Sequence, residues 1–433
     1  MQRFKFLAGI GISIGLLLGL ISAENYFSDS KSISTSSTHM SAHSFVDQTA
    51  ARIYKKQQEN LKEAIRDYFE KAIAAGEIVG AGVSIVSGDS VIISVGFGKR
   101  NINKNGGVDG HTIFRLGSLS KGFTGVLAAR LKNEGKLSWD DRVSDYINEF
   151  QLGDRSNTAS ITLANILSHT SGAPYHSYTN LVEAGLPLKT IAKRFKEVRP
   201  ISIPGVEYSY QNALFALSEL MMAKTTGQDF TTVLENRLFI PLEMCSTTMD
   251  YETILYSENV AIPHSRWRKS YKPKKLADSY YNAVAAGGIN ASAFDMAKWM
   301  RFLLGHNPEV MSKAAIKEAF NPYIEIKGHS KYYQRWPGHI SSHYGFGWRI
   351  HKFEDADTRQ ELTMWHHGGS VNSFRNEIAL YPDADLGICV LLNTNSRLAR
   401  TVIPDLYKIV KKVYDQEQTR RGYYSFASAF PQL

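Results

Sequence analysis

The stretch Phe114-Arg115-Leu116-Gly117-Ser118-Leu119-Ser120-Lys121-Gly122-Phe123 carries more chemical information than any other in this chain. Residues 114–117 run as a strand or loop into a serine, and residues 123–133 continue as an apolar helix, so Ser118 falls at a helix start. Lys121 follows three residues later and shares its helix face. An amine so placed can take the hydroxyl proton if burial or neighbouring cations lower its pKa. A helix N-terminus adds free N–H groups and partial positive charge. The spacing alone is weak, because Ser28-Asp29-Ser30-Lys31 has it too, in a Ser-rich stretch. A surface serine and lysine on a helix would fit it equally well. The surrounding sequence separates the two copies.

Further segments follow in order. Leu167-Ser168-His169-Thr170-Ser171-Gly172 comes first, then Pro204-Gly205 and Tyr208-Ser209-Tyr210-Gln211-Asn212. Pro241-Leu242-Glu243-Met244 is next, then Ala286-Gly287-Gly288 with Ser292, Asp295 and Met296. Tyr344-Gly345-Phe346-Gly347-Trp348 and Trp365-His366-His367-Gly368-Gly369 close the series. Together with residues 114–123 this set resembles the serine β-lactamase and penicillin-binding protein superfamily. It is most similar to the branch of class C β-lactamases, D,D-peptidases and esterases, over about residues 65–395.

The resemblance implies a role for each matching residue. Ser118 would be the nucleophile and Lys121 the group that orients and deprotonates it. Tyr210 would be a second proton carrier, its phenol pKa lowered by Lys121; the bland alternative is a core tyrosine with a satisfied hydroxyl. Asn212 would hold Lys121 and the substrate, or cap the helix that begins near Ala213. His367 would donate to substrate or move protons, and the glycines after it fit an edge strand that a substrate backbone approaches. Gly369 and Ser370 belong to that substrate-binding strand. The backbone N–H groups of Ser118 and Ser370 would form the oxyanion hole. His366-His367 could suggest a metal pair, but no third ligand has useful spacing, so no metal or cofactor is expected. His169 is read as a packing or capping residue, since no Gly-x-Ser-x-Gly elbow surrounds Ser118. One departure matters. Many β-lactamases of the superfamily have Lys-Thr/Ser-Gly as the third motif, whereas this chain has His367-Gly368-Gly369. The cation and hydroxyl that would hold a β-lactam carboxylate are missing. Arg375 could replace them, or be a surface ladder charge.

The fold expected is α/β in the α+β, two-lobed sense: an antiparallel sheet flanked by terminal helices, plus a mostly helical second lobe. An amphipathic helix is expected over about residues 47–75, a hairpin over 81–86 and 91–97, and strands over 344–350, 374–381 and 386–392. A closing helix over 402–414 follows. The hydrolase domain would span 51–425, with one lobe from about 51–117 and 340–425 and the other from about 118–339.

Arg3 and Lys5 precede an uncharged run over residues 6–23, which reads as a signal peptide or an N-terminal membrane anchor. Gly11, Gly15 and Gly19 are spaced as in membrane helices that pack closely. Residues 24–50 read as a flexible tether. The chain would therefore be exported, to a periplasmic or other extracytoplasmic place, with a small-molecule or peptide substrate and peptidoglycan as a possible target. A net charge of +9 favours anionic envelope polymers and lipid headgroups. The densest basic stretch, residues 266–275, lacks any nucleic-acid motif, so no nucleic-acid partner is expected. Two cysteines in 433 residues exclude a disulfide scaffold or a Cys-rich metal site.

Overall fold

The computed structural model describes residues 39–268 and 270–419. The chain divides into two compact units, Met1–Tyr54 and Lys55–Leu433. The described part of the first, residues 39–54, is the beginning of helix α1 (His39–Ala74). Residues 39–50 are thus helical, not the flexible tether expected; they contain no glycine or proline to break the helix. The run 6–23 and residues 24–38 lie outside the described residues. Among the described residues no helix is long and apolar enough to cross a membrane.

In Lys55–Leu433 the first strands, β1 (Gly80–Ser87) and β2 (Ser90–Gly98), form the expected hairpin. Two short pairs follow: β3 (Ile113–Arg115) with β6 (Asn290–Ser292), and β4 (His264–Trp267) with β5 (Ser270–Pro273). The remaining strands are β7 (Ile324–Glu325), β8 (His339–Tyr344), β9 (Arg349–Glu354), β10 (Glu361–Val371), β11 (Phe374–Tyr381) and β12 (Leu386–Leu392). The main sheet has eight strands in the order β2-β1-β12-β11-β10-β9-β8-β7, and its pairs are antiparallel. Strands from opposite ends of the chain meet at β1 and β12, where Ala81 faces Leu392. Both are buried along their whole length, because both sheet faces are covered.

One face carries the terminal helices. Phe69 of α1 stacks on Phe97 of β2 with ring centroids 5.0 Å apart. Tyr407, in the closing helix Val402–Thr419, stacks on Tyr381 at 4.4 Å. The Tyr68 hydroxyl donates to Asp405 Oδ2 at 2.8 Å and ties these two helices together. Tyr68→Phe should lower stability by about 1 kcal/mol, the net worth of one hydrogen bond, measured by urea denaturation.

The other face packs against helix Ala293–Leu304. That helix starts where the Ser292 hydroxyl accepts from the Asp295 amide at 3.1 Å, and stops at left-handed Gly305. Behind it runs α2 (Ser120–Asn133), apolar on nearly all sides and buried accordingly. One apolar cluster reaches from Val86 to Leu391 and includes both sheet and helices, so the two halves share a single core.

Of the expected strand over 344–350, residues 345–348 are in fact the tight connection between β8 and β9. It packs on α2 through missing side chains. A Cβ on Gly125 would come within 1.8 Å of the Phe346 carbonyl, and one on Gly347 within 2.1 Å of the Lys121 carbonyl. This segment therefore presses the connection onto the turn of helix that bears Lys121.

Candidate active site

The approach strand β3 ends at Arg115, and Gly117 then turns with φ +57° into a 3-10 turn, Gly117–Leu119, that runs directly into α2. Ser118 is half-buried on this turn. Lys121 is fully buried one turn later. Its Nζ lies 2.7 Å from Asn212 Oδ1, 2.7 Å from the Ala286 carbonyl and 3.4 Å from Ser118 Oγ. Burial holds this amine well below its usual pKa, and the nearby Arg349 cation pushes in the same direction. A neutral amine has two N–H groups and one lone pair. The two short contacts are to acceptors that can take those two hydrogens, which leaves the lone pair toward the Ser118 hydroxyl. That is the arrangement a general base requires.

Asn212 opens the short helix Asn212–Ala216 but does not cap it; the cap position is Gln211, whose side chain makes no capping bond. The Asn212 amide instead holds Lys121 on one side and donates to the Tyr280 hydroxyl at 3.1 Å on the other. Tyr210 is 8% exposed and in hydrogen-bonding reach of the Ser118 side chain, with its ring centroid 5.0 Å from Lys121 Nζ. The expectation that Lys121 lowers the Tyr210 pKa is overturned. Burial pushes the phenol up to about 12, opposed in part by Arg349 and the Ser118 hydrogen bond. Lys121 is not among the main groups that shift it. Tyr210 is therefore a neutral phenol that can give a proton. Tyr210→Phe should reduce kcat by about 100-fold, the lower range for losing a positioned proton donor, measured under saturating ester.

His169 fixes the loop that carries Tyr210 and Asn212. Its carbonyl accepts from the Ser209 amide at 2.8 Å, and its Nδ1 accepts from the Gln211 amide at 3.2 Å. Nδ1 as acceptor places the proton of the neutral ring on Nε2, which faces the Tyr344 hydroxyl at 3.2 Å. Tyr344 can then donate to His367 Nε2 at 2.9 Å, while His367 Nδ1 donates to the Gly368 carbonyl at 2.8 Å. His367 is buried and both of its nitrogens are engaged. It is thus not free to donate to a substrate, contrary to expectation. It steadies strand β10 from behind, and burial keeps it uncharged.

Strand β10 brings Ser370 to the nucleophile. Its ladder with β9 ends at His366 facing Arg349, while its ladder with β11 continues to Val371. Residues 367–371 thus have one side free of strand pairing, the edge anticipated for this motif. The contact with the serine turn is backbone against backbone. A Cβ on Gly369 would meet the Leu116 carbonyl at 2.1 Å, and one on Gly117 would lie 2.9 Å from the Ser370 backbone. Gly369 is therefore a spacer that lets the strand approach. Asn376 on β11 locks the approach by donating to the Arg115 and Leu116 carbonyls at 2.8 and 3.1 Å.

Two arginines change the picture drawn from the sequence. Arg375 forms an ion pair with Glu377, 3.2 Å away, on the face that carries the terminal helices. Arg349, at the start of β9, was not anticipated. It lies over the Tyr333 ring at 4.9 Å, and its Nε and Nη1 are buried without a hydrogen-bond partner among the described residues. Its charge acts on Lys121, Tyr210, His169 and His367 alike. The only sequence signal was its place directly after Trp348. Cys245 and Cys389 are both free, the second buried.

The family model described as Beta-lactamase matches residues 65–408, most of the chain. The chain belongs to the beta-lactamase family. Among curated proteins it is 24% identical over 347 residues to Protein flp of Staphylococcus aureus, covering 80% of this chain and 66% of that protein. It is 25% identical over 374 residues to Unguisins hydrolase ungD' of Aspergillus campestris, covering 83% of this chain and 67% of that protein. Among solved structures, the octameric penicillin-binding protein homologue from Pyrococcus abyssi superposes with TM-score 0.66 at 22% identity, covering 83% and 81% of the two chains. That likeness is one of fold. The mixed architecture, antiparallel sheet with flanking helices, is that of the β-lactamase and penicillin-binding protein fold.

Proposed function

We propose that this protein is an exported serine hydrolase that transfers an acyl group through Ser118. The observation that carries the reading is the buried Lys121 amine, with two acceptors for its hydrogens and Ser118 Oγ at 3.4 Å. In acylation, Lys121 takes the Ser118 proton as Oγ attacks a carbonyl carbon. The N–H groups of Ser118 and Ser370 hold the oxyanion. Tyr210 protonates the leaving group, which departs and leaves an ester on Ser118. Water then attacks that ester and gives one proton to the Tyr210 phenolate, Lys121 returns its proton to Ser118 Oγ, and the free acid leaves. No metal or organic cofactor takes part.

The substrates proposed are D-amino-acid peptides of peptidoglycan, cleaved as by a D,D-carboxypeptidase, or small esters. The unpaired nitrogens of Arg349 favour the peptide, since a C-terminal carboxylate would satisfy them. The free edge of β10 suits an extended peptide. The rival reading is a β-lactamase with efficient turnover; the same Arg349 favours it, while the engaged His367 weighs against it. Intact-mass spectrometry after exposure to a panel of β-lactams, D-Ala-D-Ala peptides and esters tests both. An adduct of acyl mass should form on the wild type and be absent from Ser118→Ala. An adduct that survives Ser118→Ala would sink the proposal.

A further inference from the structure

Beside the β10–β11 ladder, at Arg375 of β11, lies a cavity of about 430 Å³ lined by Lys331, Arg335, Arg375, Arg397 and Arg400, with no acidic side chain in its wall. Of these five cations only Arg375 has a carboxylate within ion-pair distance among the described residues. That partner, Glu377, is already engaged by the Tyr332 hydroxyl at 2.7 Å and by His366 Nε2 at 2.8 Å. The cavity therefore concentrates uncompensated positive charge, which raises the local concentration of anions.

Its position relates it to the nucleophile. Arg375 faces Ser370 across the β10–β11 ladder, and the Ser370 backbone abuts Gly117. At the rim, Lys331 Nζ lies 5.3 Å from the Tyr175 ring, which is 6.5 Å from the Tyr210 ring. An extended substrate along the β10 edge would turn successive groups to opposite faces of the sheet. When its carbonyl faces Ser118, the neighbouring group faces the cavity.

We propose that this cavity is a subsite for a phosphate group carried by the substrate. A carboxylate, with one charge and two oxygens, is satisfied by a single guanidinium fork. Several forks around one cavity match a group with about two charges and three oxygens. The assignment of the phosphate to a substrate rests on the Ser118 acyl-transfer reading; the anion site itself does not.

The test uses the full chain, the double variant Arg397→Gln/Arg400→Gln, and Ser118→Ala, with folding checked by circular dichroism. Calorimetric titration with inorganic pyrophosphate should show equal binding to wild type and Ser118→Ala, and binding at least about tenfold weaker to the double variant. Acetate at equal ionic strength should not bind. No pyrophosphate binding, undiminished binding to the double variant, or acetate binding as tight would overturn the site. These readouts need no activity, so they stand apart from any failure of the hydrolase reading. A second arm compares a neutral ester with one bearing a phosphate on its leaving or acyl group. The double variant should raise KM about tenfold for the phosphorylated ester only, with kcat unchanged. Equal effects on both esters would refute delivery of the phosphate by a substrate.

Discussion

Lys121→Met should lower kcat/KM for ester cleavage by about 1,000-fold, within the range for removing a general base, and at the same time raise the melting temperature at neutral pH. The first effect follows from the lone pair that faces Ser118. The second follows from proton linkage. The amine is held well below its usual pKa in the fold, so between that depressed value and about 10.4 the unfolded chain binds a proton that the folded chain does not. Stability therefore rises with pH across this window, and the wild type is weakened below it. Methionine has no proton to bind, so the stability gap between variant and wild type should close as pH approaches about 10.4. Thermal melts at several pH values, beside steady-state kinetics, check both. A variant that is slower but no more stable at pH 7 would argue that the amine is charged in the fold.

Gly369→Ala should cost about 100-fold or more in kcat, the range for losing one oxyanion donor, with a smaller change in KM. The added Cβ would sit 2.1 Å from the Leu116 carbonyl, and backbone cannot swing aside as a flexible side chain can. Strand β10 must retreat, and the Ser370 N–H retreats with it. Overpacking of this kind also destabilises by about 1–3 kcal/mol. Acylation by a reactive ester should slow in proportion to turnover. Should kcat hold while stability falls, Ser370 is not a donor to the oxyanion.

Ser118, Lys121, Tyr210 and Asn212 were legible through the ordered set of segments that resembles the superfamily. The Ser118–Lys121 spacing alone was weak, and Asn212 reaches Lys121 from 91 residues away. The sheet was legible where strands are apolar, as in β1, β11 and β12. It was hidden in β8, whose sequence His339-Ile340-Ser341-Ser342-His343-Tyr344 is polar because its buried groups pair with one another. There the Ser342 hydroxyl lies 2.7 Å from both His339 and His351. Arg349 escaped notice for a related reason: nothing in one dimension shows which arginine turns inward. The sign of the Tyr210 shift could not be read either. It is set first by burial of the phenol itself, which only the assembled core provides, with Arg349 opposing it.

The register of Ala81 against Leu392 has a consequence for how the molecule comes into being. Strand β1, made early and paired at one edge by β2, must wait for β12 before its other edge is covered. Such distant pairing makes for slow folding with hydrophobic edges exposed meanwhile. A chain built this way remains unfinished until β12 has been made.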